Sequence, residues 1–367
     1  MLRGSTDLPL HYGKSPRWLF RRMVELAREI TEIIVDEYGN KTFLERISDP
    51  YWFQSFACVL GFDWHSSGTT TVTLGALKEA IKSSELKEEI FIAGGKGSAS
   101  RKVPNEIEEF CKRINLSDRK IEELVKSSRL SAKVDNSALQ DGFQLYHHSF
   151  IFTKDARWAV IQQGMNEKTG YARRYHWLSD RLESFKDFVS EPHKAIVCDV
   201  RVKALNMTAK EAEEARKASV DLVKDPVRLE RELQEISGKK TLLHFSMPRE
   251  HFPKIKENLK VNFKALKQAY EEQPKSYEEL LMIKGVGKET IKALALISNL
   301  VYGSRLSWKD PCKYAFAHGG KDGWPYPVNK RRYDKSIEIL RDAIKNAKLG
   351  RKEKLQALKR LKDFIEI

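Results

Sequence analysis

Between Ser131 and Trp177 the chain gathers side chains able to attack a carbonyl or move a proton. Lys133, Asp135 and Asp141 come first, then adjacent His147 and His148, paired Gln162 and Gln163, and paired Arg173 and Arg174. They stand among Val, Ile, Phe and Trp, so their scaffold is apolar. An apolar setting disfavours the ammonium form of a lysine, and the neutral amine is a nucleophile. Carboxylates and imidazoles are the usual proton carriers beside such a group. The plainer reading is a polar core whose members satisfy one another's hydrogen bonds. A third reading uses Asp135, Asp141, Asp199, His147, His148 and the glutamines as ligands of Mg²⁺ or Mn²⁺ in a nuclease, although no clean Asp/Glu-x-Lys core stands on adjacent strands.

The elements that must hold these residues can be read from periodicity. Leu145–Thr153 and Trp158–Met165 alternate as strands, with Lys154-Asp-Ala-Arg157 as the turn. Alternation puts Tyr146, His148 and Phe150 on one face and Leu145, His147 and Ile151 on the other. Helical spacing covers 18–38, stopped by Gly39, then 43–60, interrupted at Asp49-Pro50. A Ser/Gly/Thr loop, Gly61–Thr71, leads into a helix over 72–82. It lacks the spacing of a nucleotide-binding loop, so it is read as a phosphate contact or a plain cap. A strand from Glu89 runs into Gly94-Gly-Lys-Gly97, where glycines leave Lys96 exposed as a second candidate amine. Helices over 104–113 and 117–127 deliver the chain to Ser131. Ala195–Val202 has the run of a buried strand, broken by Asp199, and 208–236 is helical. The expected fold is α+β and mainly helical, with a small antiparallel sheet within 143–205. A domain boundary near 237–250 separates an α+β domain (1–245) from a helical region (246–367).

The chain has 367 residues, 41% hydrophobic and 32% charged, as expected of a soluble globular protein. Its 66 Lys and Arg against 51 Asp and Glu leave a net charge of +15, which suits a polyanion. A charge-rich, heat-adapted surface explains many charges of both signs but not the surplus. The four cysteines are scattered, as in a reducing cytosol, and no run is apolar enough for a membrane span or a signal peptide. The localisation expected is cytoplasmic and associated with the nucleoid.

Tyr277–Leu300 has the pattern of a helix-hairpin-helix. Gly285-Val286-Gly287 makes the turn, Val286 points inward, and Thr290 opens the second helix. Glycines there let the backbone approach a phosphate, while Lys284 and Lys288 add charge. In helix-hairpin-helix DNA glycosylases a catalytic lysine follows two residues after the second glycine. That position is Glu289 here and the nearest later aspartate is Asp310, so this active site does not transfer. The hairpin is read as a grip on DNA, with Lys284, Gly285, Gly287, Lys288 and Thr290 as contacts. Arg173, Arg174 and Lys321, the last in the loop 317–328, are further expected contacts. The stretch 331–367 adds twelve Lys and Arg against six Asp and Glu.

Thr6-Asp-Leu-Pro-Leu-His11, Gly61-Phe-Asp-Trp-His65, Ala93-Gly-Gly-Lys-Gly97, Gln140-Asp-Gly142, Tyr146-His-His148, Gln162-Gln-Gly-Met165, Arg173-Arg-Tyr-His-Trp177 and Ala317-His-Gly-Gly-Lys-Asp-Gly323 together resemble a prokaryotic family labelled domain of unknown function 763. The resemblance covers nearly the whole chain. It implies kinship with an archaeal abasic-site DNA lyase of novel fold, and so a base-excision repair activity through a Schiff base on a lysine. It assigns no residues. Such a lyase needs a neutral amine for the C1′ aldehyde, a base for the C2′ proton and cations for the phosphates. It needs no cofactor or metal. Lys133 is the first candidate amine, Lys96 the second and Lys321 the third, with Asp135, Asp141, His147 and His148 as proton carriers. The partner expected is DNA, damaged and double- or single-stranded. A metal-dependent nuclease and a non-enzymatic DNA-binding protein are the alternatives.

Overall fold

A computed structural model describes residues 15–61, 66–198, 201–225, 229, 262–312, 330–348 and 350–366. Asp199, Lys321, the loop 317–328 and the boundary at 237–250 lie outside these residues. Helix α1 (Arg17–Ile47) bends at Gly39, whose φ of 79° and ψ of 165° leave the helical region. Asp49 then caps α2 (Pro50–Leu60) by accepting the Tyr51 and Trp52 amides. Helix α3 (Ser67–Lys82) begins five residues earlier than its apolar pattern suggests, because Ser66 and Thr69 cap one another. Strand β1 (Ile90–Lys96) follows, then α4 (Val103–Arg113) and α5 (Asp118–Lys133). Helix α5 runs on through Lys133 into one wide helical turn, Val134–Ala138.

The expected hairpin is present as β3 (Gln144–Thr153) and β4 (Trp158–Asn166), and β5 (Tyr171–Leu178) and β6 (Ala195–Val197) extend it. The sheet is wholly antiparallel in the order β1-β3-β4-β5-β6. A second pair joins β2 (Leu139–Gln140) to β7 (Leu205–Asn206). Helices α6 (Glu213–Leu222), α7 (Phe263–Glu272), α8 (Tyr277–Met282) and α9 (Lys288–Tyr302) come next, then α10 (Lys330–Asn346) and α11 (Arg351–Glu366). The mainly helical α+β architecture with a small antiparallel sheet and a helical C-terminal region is therefore the observed one.

Both faces of the sheet are covered. Ile92, Ile151 and Ile161 join Met23, Phe56, Leu77 and Leu340 in one apolar layer, built with α1, α2, α3, α10 and α11. Phe91, Phe150, Phe152, Val160 and Trp177 join Ile107, Leu124, Leu280, Val286 and Ile291 in the other. Strand alternation explains the division, since consecutive residues face opposite layers. Near Tyr146 the alternation fails. The β3–β4 register shifts between Leu145 and His147, and the Tyr146 hydroxyl meets Gln163, the cross-strand neighbour of His147. A bulge thus moves Tyr146 off the face that simple alternation assigns it.

Gly94 fixes how closely β1 and α4 approach. Its φ is +92°, and a Cβ would lie 2.2 Å from the His148 carbonyl oxygen and 2.5 Å from Val103 Cγ2. Glu106 accepts from the Gly94 amide at 2.9 Å and from Lys78 at 2.6 Å, tying α3, β1 and α4 together. Gly94→Ala should cost about 3 kcal/mol of stability, since neither backbone nor Val103 can retreat cheaply. Urea unfolding of the two proteins checks this.

Candidate functional site

The polar residues of the central block form two buried networks, one on each face of the sheet. On the α5 side, Asp135 lies in the wide turn and is fully buried. Its Oδ2 accepts from Gln162 Nε2 at 2.6 Å and from Trp177 Nε1 at 2.9 Å, and its Oδ1 bonds His193 Nε2 at 2.5 Å. Gln162 turns its Oε1 to His148 Nδ1 at 2.8 Å, so that nitrogen carries the proton and Nε2 accepts from Ser128 at 2.9 Å. Burial drives the His148 pKa down to about 4, partly opposed by Gln162. Burial raises the Asp135 pKa, and the imidazole of His193 works in the other direction.

Beside this chain Arg173 is fully buried between two carboxylates. Its Nη1 lies 2.9 Å from Asp141 Oδ2, and Nη1 and Nη2 lie 3.1 and 2.6 Å from the two Asp310 oxygens. Asp141 also accepts from Tyr175 at 2.7 Å and from the Phe143 amide at 3.0 Å. Burial opposes the Arg173 charge, but Asp141, with Tyr175, Cys198 and Asp310, more than offsets it.

On the α3 side Gln163 accepts from Thr70 and donates to the Ser67 carbonyl at 2.8 Å and to Tyr146. Arg174 lies over the Phe53 ring at 4.4 Å and donates to His176 Nε2 at 2.9 Å, with Thr70 and Gln54 at 3.3 and 3.4 Å. Burial lowers its pKa to about 9. His147 Nε2 meets Ser149 at 2.9 Å, and its Nδ1 has no hydrogen-bond partner. Burial, then His148, Lys96 and Lys78, depress its pKa to about 3.

Two expected DNA contacts are corrected by this geometry. Arg173 and Arg174 have 0% exposure and their guanidinium groups bond partners inside the protein, so neither reaches a phosphate. Thr290 is also buried. His147 and His148 stand on opposite faces, so they cannot act on one group, and the ligand set of the nuclease reading is divided between two networks. Among the described residues, no three His, Cys, Asp or Glu side chains converge as metal ligands would.

The candidate amines lie elsewhere. Lys133 ends α5, half-buried, and its Nζ donates to the Val286 carbonyl at 2.7 Å. Burial lowers its pKa. Asp135 and Asp141, close in sequence, turn into their own networks and form no ion pair with it. Lys96 is exposed at the end of β1, 6.0 Å from the centre of the Tyr146 ring.

Val286 belongs to the turn joining α8 and α9, and it is fully buried, as its inward reading requires. Lys284, Gly285 and Lys288 are exposed. Gly285 has φ +88°, and a Cβ there would lie 3.1 Å from Ala265 Cβ and Asn262 Nδ2. Gly287 differs, with extended φ −133° and ψ −172°, and open space where a Cβ would stand. The turn itself therefore requires glycine at 285 and not at 287. Gln140 donates to the Lys288 carbonyl at 2.7 Å, a second tie between the turn and the sheet domain.

His193 was not among the sequence candidates. It lies in an irregular segment, 58 residues from Asp135, and no local pattern marks it. Its ring is tilted on Trp177 at 4.6 Å, and it lines a cleft of about 360 Å³ with Asn206, Thr208, Ser307 and Lys309.

An antiparallel sheet between two helical layers, with an amine lodged at a glycine turn, defines an α+β protein whose polar interior is unusually charged. The chain belongs to the family described as Protein of unknown function (DUF763), whose model matches residues 4–328. No curated protein matches it, and no solved structure does.

The depressed His148 pKa carries a consequence for stability. The unfolded ring takes its proton near pH 6.5, whereas the folded ring resists protonation until about pH 4. Stability contributed by His148 is thus present above pH 6.5 and is lost as the pH falls through that window. The stability difference between wild type and His148→Gln should narrow from pH 7 to pH 5 in urea unfolding. A difference independent of pH would mean that the folded ring is not held neutral.

Proposed function

We propose that this protein is a DNA-binding abasic-site lyase that uses the Lys133 amine. The observation that carries the reading is the 2.7 Å contact from Lys133 Nζ to the Val286 carbonyl. It sets a half-desolvated amine against the turn best suited to hold a DNA backbone. Gly285 is exposed and free of a side chain, Lys284 and Lys288 flank it, and the 15-residue helix α9 starts just beyond. Exposed N–H groups at that start and the two ammonium groups favour a phosphate. The net charge of +15 brings DNA to such a surface and makes the encounter salt-dependent.

The chemistry follows from the amine. A neutral Lys133 attacks the C1′ aldehyde of a sugar that has lost its base, and the carbonyl oxygen leaves as water. In the resulting imine the C2′ proton becomes acidic. A base takes that proton, the C3′–O bond breaks, and the 3′ phosphate departs with the bonding pair. Hydrolysis of the imine returns the lysine. Burial supports the neutral amine, and neither Asp135 nor Asp141 pairs with it to oppose this effect. The Val286 carbonyl accepts a hydrogen bond from the amine, which leaves the lone pair of the neutral amine for the substrate.

Borohydride reduction of the imine tests the nucleophile. Wild type should give a covalent adduct with abasic DNA in the presence of EDTA, and Lys133→Ala should bind that DNA without forming the adduct. Adduct lost in Lys96→Ala but retained in Lys133→Ala would transfer the role to Lys96. Absence of adduct in wild type, with cleavage abolished by EDTA, would replace the lyase by a metal-dependent nuclease. Absence of both adduct and cleavage would leave a binding protein.

The turn makes a separate prediction. Gly287→Ala should fold with unchanged stability yet weaken binding to DNA of any sequence, because its Cβ stands where the phosphate approaches. Gly285→Ala should lower stability itself by about 2 kcal/mol through the left-handed backbone it imposes. Fluorescence anisotropy with undamaged DNA and thermal melting separate the two effects. Normal DNA binding by Gly287→Ala would reduce the turn to a packing unit.

A further inference from the structure

We propose that the cleft beside β6 is a second ligand site, for a hydroxylated ring of pentose size, in which His193 accepts a hydrogen bond from a ring hydroxyl. This site does not involve Lys133 and does not depend on the lyase reading. Three observations support it. The first is the pair formed by His193 and Asp135. His193 Nε2 bonds a carboxylate oxygen, so Nε2 holds the ring proton and Nδ1 is left with its lone pair. The other oxygen of Asp135 is filled by Gln162 and Trp177, two neutral donors. The charge of the carboxylate is therefore directed at His193 alone. Trp177, edge-on at 4.6 Å, fixes the plane of the ring. An imidazole oriented by a buried carboxylate presents its second nitrogen as a fixed hydrogen-bond acceptor for a bound hydroxyl.

The second observation is the cleft itself. Its volume of about 360 Å³ accommodates a nucleoside-sized molecule. Ala195, Ile196, Ala209 and Pro311 supply apolar surface, while Glu191, Glu211, Lys210 and Lys309 supply charges of both signs. Asp310 also reaches the cleft, but its charge is committed to Arg173. Balanced charge over an apolar floor fits a neutral ring with C–H faces and hydroxyl edges better than it fits an anion.

The third observation is strain. Glu191 has φ +50° and is held there by its amide, which donates to the Thr208 carbonyl at 2.8 Å. A non-glycine residue in this region persists only where its surroundings impose it. Here it fixes one wall of the cleft. On binding, the ligand hydroxyl donates a hydrogen bond to Nδ1 and keeps its proton, while Nε2–H stays on Asp135.

A pentose hydroxyl can come from a free nucleoside or from the 3′ end of a DNA strand. Selective ¹⁵N labelling of the nine histidines of the full chain distinguishes them. His193 is identified by the signals lost in His193→Gln, and the ring reports its tautomer directly. The probes are thymidine, a short oligonucleotide ending in a 3′-hydroxyl, and the same strand ending in a 3′-phosphate. The expected result is an Nε2–H tautomer whose Nδ1 signal moves saturably with thymidine, for a free ligand, or with the 3′-hydroxyl strand, for a strand end. His193→Gln should lower the affinity for the responding probe roughly tenfold, the loss of one hydrogen bond. An Nδ1–H tautomer, no response to any probe, or an equal response to the 3′-phosphate strand would overturn the proposal. If His193→Gln does not fold, His193→Phe, which keeps a ring against Trp177, makes the same assignment.

Discussion

Two adjacent arginines are buried in β5, the strand next to one edge of the sheet, and much of the structure is arranged around them. Arg173 and Arg174 point to opposite faces of β5, so each must be solvated by a different layer of the molecule. An uncompensated buried charge costs several kcal/mol, enough to unfold a marginal domain. On one face the compensation is ionic, from Asp141 and Asp310. On the other it includes the face of Phe53, the His176 nitrogen and the oxygens of Gln54 and Thr70. The two solutions recruit different elements. The first binds β5 to the segment after α9, the second binds it to α2 and α3.

This division separates positioning from chemistry. The histidines, glutamines and aspartates of the central block mostly clip helices to the sheet, and most of their hydrogen bonds are used in doing so. The groups left with chemical capacity sit at the margins of the networks. Lys133 leaves the end of α5 towards the glycine turn, and His193 closes the Asp135 network at a cleft. On the proposed reading, a hydrogen-bonded interior holds these two groups at its edge without immobilising them.

The sequence disclosed the architecture more readily than the site. The β3–β4 hairpin was visible because its apolar alternation is long and its turn polar. Most helices were visible because their apolar stripes keep the helical period. The extension of α5 through Lys133 was hidden, because Ser131-Ala-Lys-Val-Asp-Asn136 reads as polar loop when α5 and the turn of α8–α9 are not known to pack on it. Arg173 and Arg174 were read as DNA contacts, and both are buried. The signal against that reading was present, since Tyr171-Ala-Arg-Arg-Tyr-His-Trp-Leu178 has the composition of a strand and both faces of this sheet are covered. His193 had no such signal. Its importance lies in a partner 58 residues away, and contacts of that kind have no local imprint. The lysine amines could be nominated from sequence, but only the fold separates Lys133, desolvated at the turn, from Lys96 in the open.

The partners of Arg173 also set an order of events during folding. Asp141 precedes it by 32 residues, whereas Asp310 follows by 137. A nascent chain that has emerged only as far as β6 can form the sheet, yet Arg173 then has one carboxylate where the native state has two. The same late segment brings Cys312, whose thiol donates to the Ile196 and Cys198 carbonyls at 3.4 Å along the edge of β6. Until it arrives, that edge presents unpaired backbone to any neighbouring strand. Between translation of residue 198 and of residue 312 both the second carboxylate of Arg173 and the cover of this edge are still to come, and slower elongation there lengthens that interval.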